Sequence, residues 1–249
     1  MTAYGSELCI HATNPVVGAA VRVFGSYDLG ARLRFAAMSA ALRTLPVPER
    51  VMDVGCGLGE LCFAMHRLWP SAEIVGTDID IERLREARDT ARSLHAQRVT
   101  FEHVDDVDPS ARFDVVTCVD VLEHVADDRG FVSRLFASTS PGGYLVIHVP
   151  SAVKRRYLAE FPEQADHVRP GYGVPGLVTL LRDAGYAEIT LRATFGTLGA
   201  LGWEGFALAR QGRTSARALL PLWYACAVAD SLRVPARGNG LLAIARRSS

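Results

Sequence analysis

The sequence is nearly without lysine, has no paired cysteine motif and no long apolar run, and carries no net charge. Of its 27 basic residues only Lys154 is a lysine, and 27 acidic residues balance them at pH 7. A balanced charge creates no overall field that would draw the protein to nucleic acid or to an anionic surface. We therefore expect no nucleic-acid partner, and we interpret the preference for arginine and alanine as coding bias.

The five cysteines are odd in number and include no Cys-x-x-Cys pair. Neither a disulfide framework nor a zinc cluster is indicated. The first ten residues lack the basic and then apolar pattern of a signal peptide, and no run reaches the roughly 18 uninterrupted apolar residues of a membrane span. These absences predict a cytoplasmic location with reduced thiols. The 249 residues, 49% of them hydrophobic, suffice for one sizeable α/β domain.

What the sequence does contain is a glycine-rich stretch at Val51–Leu61. It reads as a short apolar strand, then glycines at positions 55, 57 and 59, then the start of a helix. Glycine lets the backbone turn tightly and approach a ligand, and the free N–H groups of the helix start favour a polar or anionic group there. Asp53 would repel a pyrophosphate but would suit an ammonium group. The stretch therefore predicts a ligand that combines a nucleoside with an amino acid, rather than NAD.

Strand and helix patterns alternate from residue 50 to residue 150. We predict strands at Arg50–Val54, Glu73–Thr77, Val99–His103, Phe113–Cys118 and Tyr144–Val149, helices at Leu61–Trp69, Ile81–Leu94 and Arg129–Ser138, and a turn at Pro141-Gly142-Gly143. Alternation at these lengths is typical of a Rossmann-like α/β fold with a doubly wound, mostly parallel sheet. Ligands bind such sheets at the carboxyl ends of the strands.

Helical patterns flank this core on both sides. A helix from Asp28 to Leu45 leads us to interpret residues 1–48 as an N-terminal lid or flank, before a cofactor-binding core at 49–150. Beyond Pro150 we predict a helix at Pro175–Ala184, a strand at Ala187–Phe195, apolar helices near Leu198–Arg210 and Ser215–Leu232, and a last strand at Gly240–Ala245. Residues 151–249 would then supply an acceptor-side insertion, a helical cap and the final strands of a seven-stranded sheet. The economical interpretation is a single domain, 1–249.

The stretch Asp53–Gly59 resembles the first motif of the class I S-adenosylmethionine-dependent methyltransferases of the small-molecule type. The resemblance covers about residues 50–150 and continues through Gly76-Thr77-Asp78-Ile79, Asp105-Asp106, Phe113-Asp114-Val115-Val116, Val121-Leu122-Glu123-His124 and Pro141-Gly142-Gly143-Tyr144-Leu145. A weaker echo lies in Asp166–Tyr172. The resemblance implies S-adenosyl-L-methionine as cofactor and S-adenosyl-L-homocysteine as product.

Each part of that cofactor has expected contacts. Asp78 ends the second strand 19 residues after Gly59, where a carboxylate accepts hydrogen bonds from both ribose hydroxyls, with Ile79 beside it. Asp105, with the backbone of Asp106 close by, is placed to accept a hydrogen bond from the adenine amino group. A lone carboxylate at a strand end is more often a helix cap, the role we expect of Asp80.

The amino-acid end of the cofactor would meet the loop itself. Asp53 is expected to hold the ammonium group directly or through water. The loop residues Gly55, Cys56, Gly57 and Gly59 would lie against the ligand, and Cys118 to Asp120 would line its methionine side. Cys56 is interpreted as a small residue that fits the loop, not as a nucleophile.

A general base is needed only if the proton of the acceptor must leave before or during attack. The candidates for this catalytic role are His167, His148 and Tyr157, with Tyr172 as a further one. His148 lies near the carboxyl end of the fifth strand, where it either faces the acceptor or packs in the core. His167 belongs to a segment that we expect to cover the pocket. No divalent-metal pattern of the Asp-Asp-Asn/His type is legible, so we expect no metal.

The apolar stretch 198–232 exceeds the minimal fold, and seven arginines between Arg210 and Arg247 face one acid, Asp230. It could pack on the sheet or at a homodimer interface, cap an apolar acceptor, or contact a membrane, a lipid-like substrate or an anionic one.

The sequence thus predicts methyl transfer to a small, largely apolar acceptor such as a specialised metabolite or lipid-like molecule, with oxygen favoured over nitrogen or carbon. Two alternatives stay open. One is a cofactor-binding member of the family that performs no transfer or steers a cyclisation. The other is a nicotinamide-dependent oxidoreductase, which Asp53 and the Gly-x-Gly-x-Gly spacing disfavour.

Overall fold

The computed structural model describes residues 28–158 and 167–249. Residues 1–27 of the predicted N-terminal flank, and residues 159–166 of the predicted insertion, lie outside the described residues. The helices are α1 (Leu29–Leu42), α2 (Glu60–Leu68), α3 (Ile81–Ser93), α4 (Asp128–Ser138), α5 (Val174–Asp183), α6 (Thr197–Arg210), α7 (Thr214–Ala218) and α8 (Leu220–Ser231). The strands are β1 (Arg50–Val54), β2 (Glu73–Asp78), β3 (Val99–His103), β4 (Phe113–Val119), β5 (Thr139–Pro150), β6 (Tyr186–Thr194) and β7 (Gly240–Arg247).

The seven strands form one sheet in the order β3-β2-β1-β4-β5-β7-β6. All neighbours pair in parallel except β7, which runs antiparallel to both β5 and β6. The chain builds outward from β1 to β3 and then crosses to β4 on the other side of β1. This confirms the predicted Rossmann-like fold, and it places the crevice that binds ligands at the carboxyl ends of β1 and β4.

Two apolar layers cover the faces of the sheet, because successive side chains of a strand point to opposite faces. Val51 packs in the layer that includes residues of α1, α2 and α3, whereas its neighbour Met52 packs in the layer that includes residues of α4 and α5. The same alternation in β5 turns Ile147 toward α4 and α5, and it turns His148 toward the opposite face. The side on which each polar residue lies is therefore fixed by its position along the strand.

Strand β5 is longer than predicted, because Pro141-Gly142-Gly143 is an irregular part of the strand and not a turn that precedes it. Phe113 pairs with Thr139, and the next pair joins Val115 to Tyr144, so extra residues of β5 bulge out of the pairing. Gly142 supports the bulge with a φ of +78°. Proline and glycine therefore mark a bulge at this position.

The apolar stretch predicted as one helix at Ser215–Leu232 is two helices, α7 and α8. Pro221 lies in the first turn of α8, where its missing N–H costs no hydrogen bond but prevents continuation from α7. Trp223 of α8 packs so closely on α6 that a Cβ at Gly205 would lie 2.2 Å from its ring. Within the described residues, no helix is both long enough and apolar enough to cross a membrane.

Candidate functional site

All three glycines of the loop between β1 and α2 have a left-handed backbone conformation. Gly55, Gly57 and Gly59 have φ values of +75°, +54° and +80°, a region that side chains disfavour. A Cβ on Gly55 would lie 2.2 Å from a methyl group of Val121, and a Cβ on Gly59 would lie 2.5 Å from the ring of Phe101. The conformation that was predicted for close approach to a ligand is therefore the one that the loop adopts.

Asp78 connects the end of β2 to this loop. Its Oδ2 accepts a hydrogen bond from the N–H of Gly57 at 2.8 Å, and its Oδ1 accepts one from the N–H of Asp80 at 2.9 Å. Each carboxylate oxygen can accept a further bond, so the side chain remains able to bind a pair of hydroxyl groups. Asp80 accepts from two N–H groups in the first turn of α3, which is the capping role predicted for it. The ribose contact of Asp78 stays a prediction.

Two apolar side chains are exposed beside Asp78, at the ends of adjacent strands. Asp78 and His103 are paired residues of β2 and β3, so Ile79 and Val104 follow at the same level. Ile79 is 77% exposed and Val104 is 40% exposed. Val104 was not among the predicted site residues. Asp105 and Asp106 follow it in an exposed turn, and their contacts to adenine stay predictions.

Asp53 lies beneath the loop and not in the open. It is 3% exposed, and its carboxylate accepts a hydrogen bond from the hydroxyl of Thr117 at 2.7 Å and a weaker one from the thiol of Cys62 at 3.5 Å. Burial raises the pKa of Asp53 to about 7, against the opposing effect of these two hydrogen bonds. Contact with a ligand ammonium group stays a prediction, and it would favour the ionised form.

The side chain of Cys118 does not line the methionine side of the crevice, contrary to our expectation. It is fully buried in the apolar layer between the sheet and helices α4 and α5. The reason is the alternation along β4: Thr117 points toward Asp53, so Cys118 points to the opposite face. Burial also raises the pKa of its thiol well above the ordinary range.

Asp120 is the centre of a chain of polar contacts just beyond β4. Its Oδ1 lies 2.6 Å from Nδ1 of His148, and its Oδ2 lies 3.0 Å from Nη1 of Arg34 in α1. Nε2 of His148 lies 2.8 Å from the hydroxyl of Thr194 at the end of β6. Burial alone would raise the pKa of Asp120, but His148 and Arg34 outweigh it and hold that pKa below its usual range. Asp120 is therefore a well-fixed anion.

His148 itself is 2% exposed and has a partner at each ring nitrogen. The imidazole ring is closely packed, since a Cβ on Gly240 would lie 2.8 Å from its Nε2. Asp120 has a φ of +51°, a strained conformation of the kind that clusters at functional sites. The geometry thus makes His148 a residue that positions Asp120, and its predicted role as a base stays a prediction.

Glu123, His124 and His167 lie together on the same side of the crevice. Glu123 and His124 belong to a short 3-10 helix after Asp120, and the rings of His124 and His167 are perpendicular with centroids 4.6 Å apart. Glu123 is 1% exposed, and burial, with a further contribution from Asp120, raises its pKa to about 8. The structure therefore brings the predicted residue His167 next to two residues that the sequence analysis left without a role.

These residues form part of the floor of a cleft of about 980 Å³ at the carboxyl ends of β4 and β5. Helices α1 and α6 form its walls. Its charged and histidine lining consists of Asp28, Arg34, Asp120, Glu123, His124, His148, Lys154, Arg156, His167 and Arg210. Its ring-bearing and small apolar lining includes Pro150, Ala152, Pro170, Phe195, Ala200, Trp203, Phe206 and Ala207. A molecule of mixed character, with an apolar body and a polar group, matches such walls.

Tyr157, the third predicted base, is not part of this cleft lining. Its hydroxyl lies 3.2 Å from that of Thr197, and its backbone N–H donates to the buried carboxylate of Glu204 at 2.9 Å. Glu204 also accepts from the N–H of Leu158 at 2.7 Å, so it fixes this segment on α6. The placement gives Tyr157 a structural role and does not support the catalytic one.

Comparison with known proteins places this geometry in context. A family model described as "Methyltransferase domain" matches residues 27–191, about two thirds of the chain. The ubiquinone biosynthesis O-methyltransferase of Rhodopseudomonas palustris (strain BisB18) is 36% identical over 104 residues. That match covers 39% of this chain and 38% of the relative, so it spans well under half of the relative's length.

Two solved structures share the fold. Phosphoethanolamine N-methyltransferase 2 of Haemonchus contortus, in complex with S-adenosyl-L-methionine, has a TM-score of 0.64 at 17% identity over 90% of this chain and 53% of that one. The [4+2]-cyclase SpnF has a TM-score of 0.62 at 21% identity over 88% of this chain and 82% of that one. At these identities the likeness concerns the fold alone.

Proposed function

The chain belongs to the methyltransferase-domain family, and from this premise we propose that it transfers a methyl group from S-adenosylmethionine to a hydroxyl oxygen of a small molecule. The observation that carries this proposal is the arrangement of the carboxyl edge of the sheet. A glycine loop with exposed carboxylates and apolar side chains lies at β1–β3, and a mixed cleft adjoins it at Asp120. The edge therefore has room for a donor and an acceptor side by side.

The cofactor would occupy the half of the edge at β1–β3. Asp78 would accept hydrogen bonds from the ribose hydroxyls, and the adenine would lie between Ile79 and Val104, whose exposed side chains provide flat apolar contact. Asp105 and the backbone of Asp106 would receive its amino group. The ammonium group of the methionine part would lie above Asp53, and the loop glycines allow its close approach.

The acceptor would occupy the cleft, with its reacting group at the polar floor. Methyl transfer is an in-line displacement, so most of the work of the protein is to position the acceptor and to exclude water. The acceptor oxygen donates an electron pair to the methyl carbon, and the carbon–sulfur bond breaks with its electron pair left on sulfur. A hydroxyl group must also lose its proton, and the polar floor of the cleft, which includes His167, can take it directly or hold the water that takes it.

Oxygen is favoured over nitrogen as the methyl acceptor because the polar floor of the cleft can help to remove the proton of a hydroxyl group. A neutral amine attacks with its own lone pair and needs no base before attack, whereas a hydroxyl is a poor nucleophile until its proton is removed or shared. The curated relative is named as an O-methyltransferase, which agrees with this choice. The apolar walls, including Trp203 and Phe206, favour an acceptor with a ring or chain body.

A transfer assay tests the proposal. The chain would be incubated with S-adenosylmethionine carrying an isotopically labelled methyl group and with sets of small apolar molecules that differ only in bearing a hydroxyl, an amino group or hydrogen. We expect labelled methyl ethers and S-adenosylhomocysteine from hydroxyl-bearing members alone. Methylation confined to the amines would overturn the oxygen assignment. Cofactor binding without transfer in any set would favour the non-catalytic alternative.

A further inference from the structure

Three side chains on the cleft floor have the chemistry and spacing of a metal site. One ligand atom from each of Glu123, His124 and His167 lies within 4.8 Å of the other two. Ligands that are each about 2.1 Å from one ion are at most about 4.2 Å apart, so small side-chain rotations suffice to bring all three onto it. Oε2 of Glu123 is buried and has no hydrogen-bond partner among the described residues.

An orphan carboxylate oxygen in a side chain that is 1% exposed is costly unless something pairs with it. The short helix that carries Glu123 places it next to His124, and the perpendicular ring of His167 lies 4.6 Å from that of His124. A cation between these side chains would satisfy the orphan oxygen. A bound cation would therefore explain why these three side chains lie together, which packing alone does not.

The fold holds the two parts of the cluster together, although His124 and His167 are 43 positions apart in the sequence. The carbonyl of Glu123 accepts a hydrogen bond from the N–H of Val168 at 3.0 Å. The guanidinium of Arg169 donates to the carbonyls of Leu122, Val125 and Ala126 at 3.0, 2.7 and 3.0 Å. His167 therefore reaches Glu123 and His124 from a segment that is fixed to their own helix.

We propose that Glu123, His124 and His167 bind a divalent transition-metal ion in the cleft. Two imidazole nitrogens and one carboxylate oxygen suit Zn²⁺, Fe²⁺, Mn²⁺ or Co²⁺, whereas Mg²⁺ and Ca²⁺ prefer oxygen ligands throughout. Three protein ligands leave coordination positions open for another molecule. The sequence expectation of no metal is thereby replaced, because it rested on the search for a different ligand pattern.

The role of this ion rests on the proposed function. An acceptor hydroxyl that takes an open coordination position would have its pKa lowered by the charge of the metal. Its proton passes to water in the cleft, the oxygen attacks the methyl carbon, and the electron pair of the broken carbon–sulfur bond stays on sulfur. The metal does not change its oxidation state. The site thus identifies the acceptor as a molecule whose hydroxyl can ligate a metal.

Titration of the metal-free full chain with Co²⁺ tests the site, because bound Co²⁺ has visible absorption bands that report its ligands. We expect saturation at one ion per chain and displacement by Zn²⁺. Glu123→Gln and His167→Ala should each weaken Co²⁺ binding at least about tenfold, the equivalent of about 1.4 kcal/mol. His95→Asn is the matched control, since His95 is exposed at the turn between α3 and β3 and its φ of +52° suits asparagine.

Circular dichroism of each variant would show that it is folded. Equal Co²⁺ affinity in the chain and in both folded variants, or no binding at all, would overturn the site. A parallel calorimetric titration with S-adenosylmethionine separates this proposal from the previous one. Cofactor binding with no metal binding would contradict only the metal site, whereas metal binding with no cofactor binding would support the site and contradict the proposed function.

Discussion

At the carboxyl edge of the sheet, the half formed by β1, β2 and β3 and the half formed by β4 to β7 are built in different ways. The first half uses three short segments, at residues 53–59, 78–80 and 103–106, each directly after its strand. The second half collects residues from α1, the end of β4, β5, α6 and the loops at 152–156, 167–170 and 239–240. Each segment of the first half continues one strand of the sheet, whereas the second half combines strand ends with helices and loops from distant parts of the chain.

The two halves also differ in how their acids are held. Asp78 is half-buried and accepts hydrogen bonds from two backbone N–H groups, and Asp105 is exposed beside the ring of His103. Asp120 instead lies between Arg34 and His148, and Glu123 is buried. The acids of the first half are therefore held near the ends of their own strands, whereas those of the second half depend on contacts between distant parts of the chain.

The largest loss of cofactor affinity is expected from Gly59→Ala, in the half of the edge formed by β1, β2 and β3. The left-handed conformation costs an L-residue about 1–2 kcal/mol and the clash with Phe101 about 1–3 kcal/mol more. Displacement of the loop should weaken S-adenosylmethionine binding at least about 30-fold by calorimetry. Gly176→Ala is the control, because no atom lies within 4 Å of a Cβ there. Unchanged affinity in Gly59→Ala would mean that the loop does not hold the cofactor.

Asp78→Asn should have the next largest effect. The amide keeps the size of the side chain but loses the charge that strengthens hydrogen bonds from two hydroxyls, so cofactor affinity should fall about tenfold, or about 1.4 kcal/mol. Asp80→Asn is the matched control, since asparagine also caps a helix well. Unchanged affinity in Asp78→Asn, or an equal loss in both variants, would contradict the ribose contact.

The contrast between the halves explains how far the sequence could predict the structure. Gly55 to Gly59 and Asp78 form a spaced pattern whose meaning is local, so the fold and the loop conformation could be predicted. Cys118 was misplaced because an offset of one residue along a strand reverses the face of the sheet. The predicted turn at Pro141-Gly142-Gly143 is a bulge, because only pairing with β4 decides between the two.

The half formed by β4 to β7, where we propose that the acceptor binds and which we call the acceptor half, could not be predicted for a different reason. Glu123 and His124 are adjacent in sequence, but nothing local shows that His167 joins them, since the hydrogen bonds of Arg169 create that proximity. The contact of Tyr157 with Thr197 on α6 could not be inferred from spacing. A Glu-His pair four residues after the end of β4, with a later isolated histidine, was the available signal.

The pH dependence of cofactor binding should show a smaller effect that depends on Asp53. Its pKa of about 7 means that the free protein holds the neutral acid below that pH, whereas an ammonium ligand favours the anion. Affinity should therefore rise by up to about tenfold between about pH 5.5 and pH 7.5, a range in which the ligand amino group, with an ordinary pKa of about 7.7, stays largely protonated. In Asp53→Asn this rise should disappear, and a persistent rise would contradict the assignment.

The same shift predicts the stability of the free chain. Because the folded state binds this proton more tightly than the unfolded state, the free energy of unfolding contributed by Asp53 falls as pH rises from about 4 to about 7 and is then constant. Urea unfolding of Asp53→Asn across this range should show a shallower fall than the unmodified chain. A parallel fall in both proteins would assign the effect to another group.

The smallest effect, a change in the rate of methyl transfer, is expected from Thr194→Val in the half of the edge formed by β4 to β7. The change removes the hydroxyl that contacts Nε2 of His148 and costs about 1 kcal/mol of stability. Looser positioning of His148 should lower the rate of methyl transfer about threefold, which corresponds to an increase of about 0.7 kcal/mol in the activation free energy. Cofactor affinity should be unchanged. Thr190→Val on the exposed part of the same strand is the control. Weaker cofactor binding in Thr194→Val would remove the distinction between the halves.

The proposed cofactor site is tested most directly by calorimetry. The binding of S-adenosylmethionine and of NAD⁺ would be measured for the unmodified chain, Asp78→Asn and Glu123→Gln. We predict that S-adenosylmethionine binds, that NAD⁺ does not, and that Asp78→Asn alone loses affinity, since Glu123 belongs to the acceptor half. Binding of NAD⁺ without S-adenosylmethionine, or a loss of affinity that follows Glu123→Gln and leaves Asp78→Asn unaffected, would contradict it.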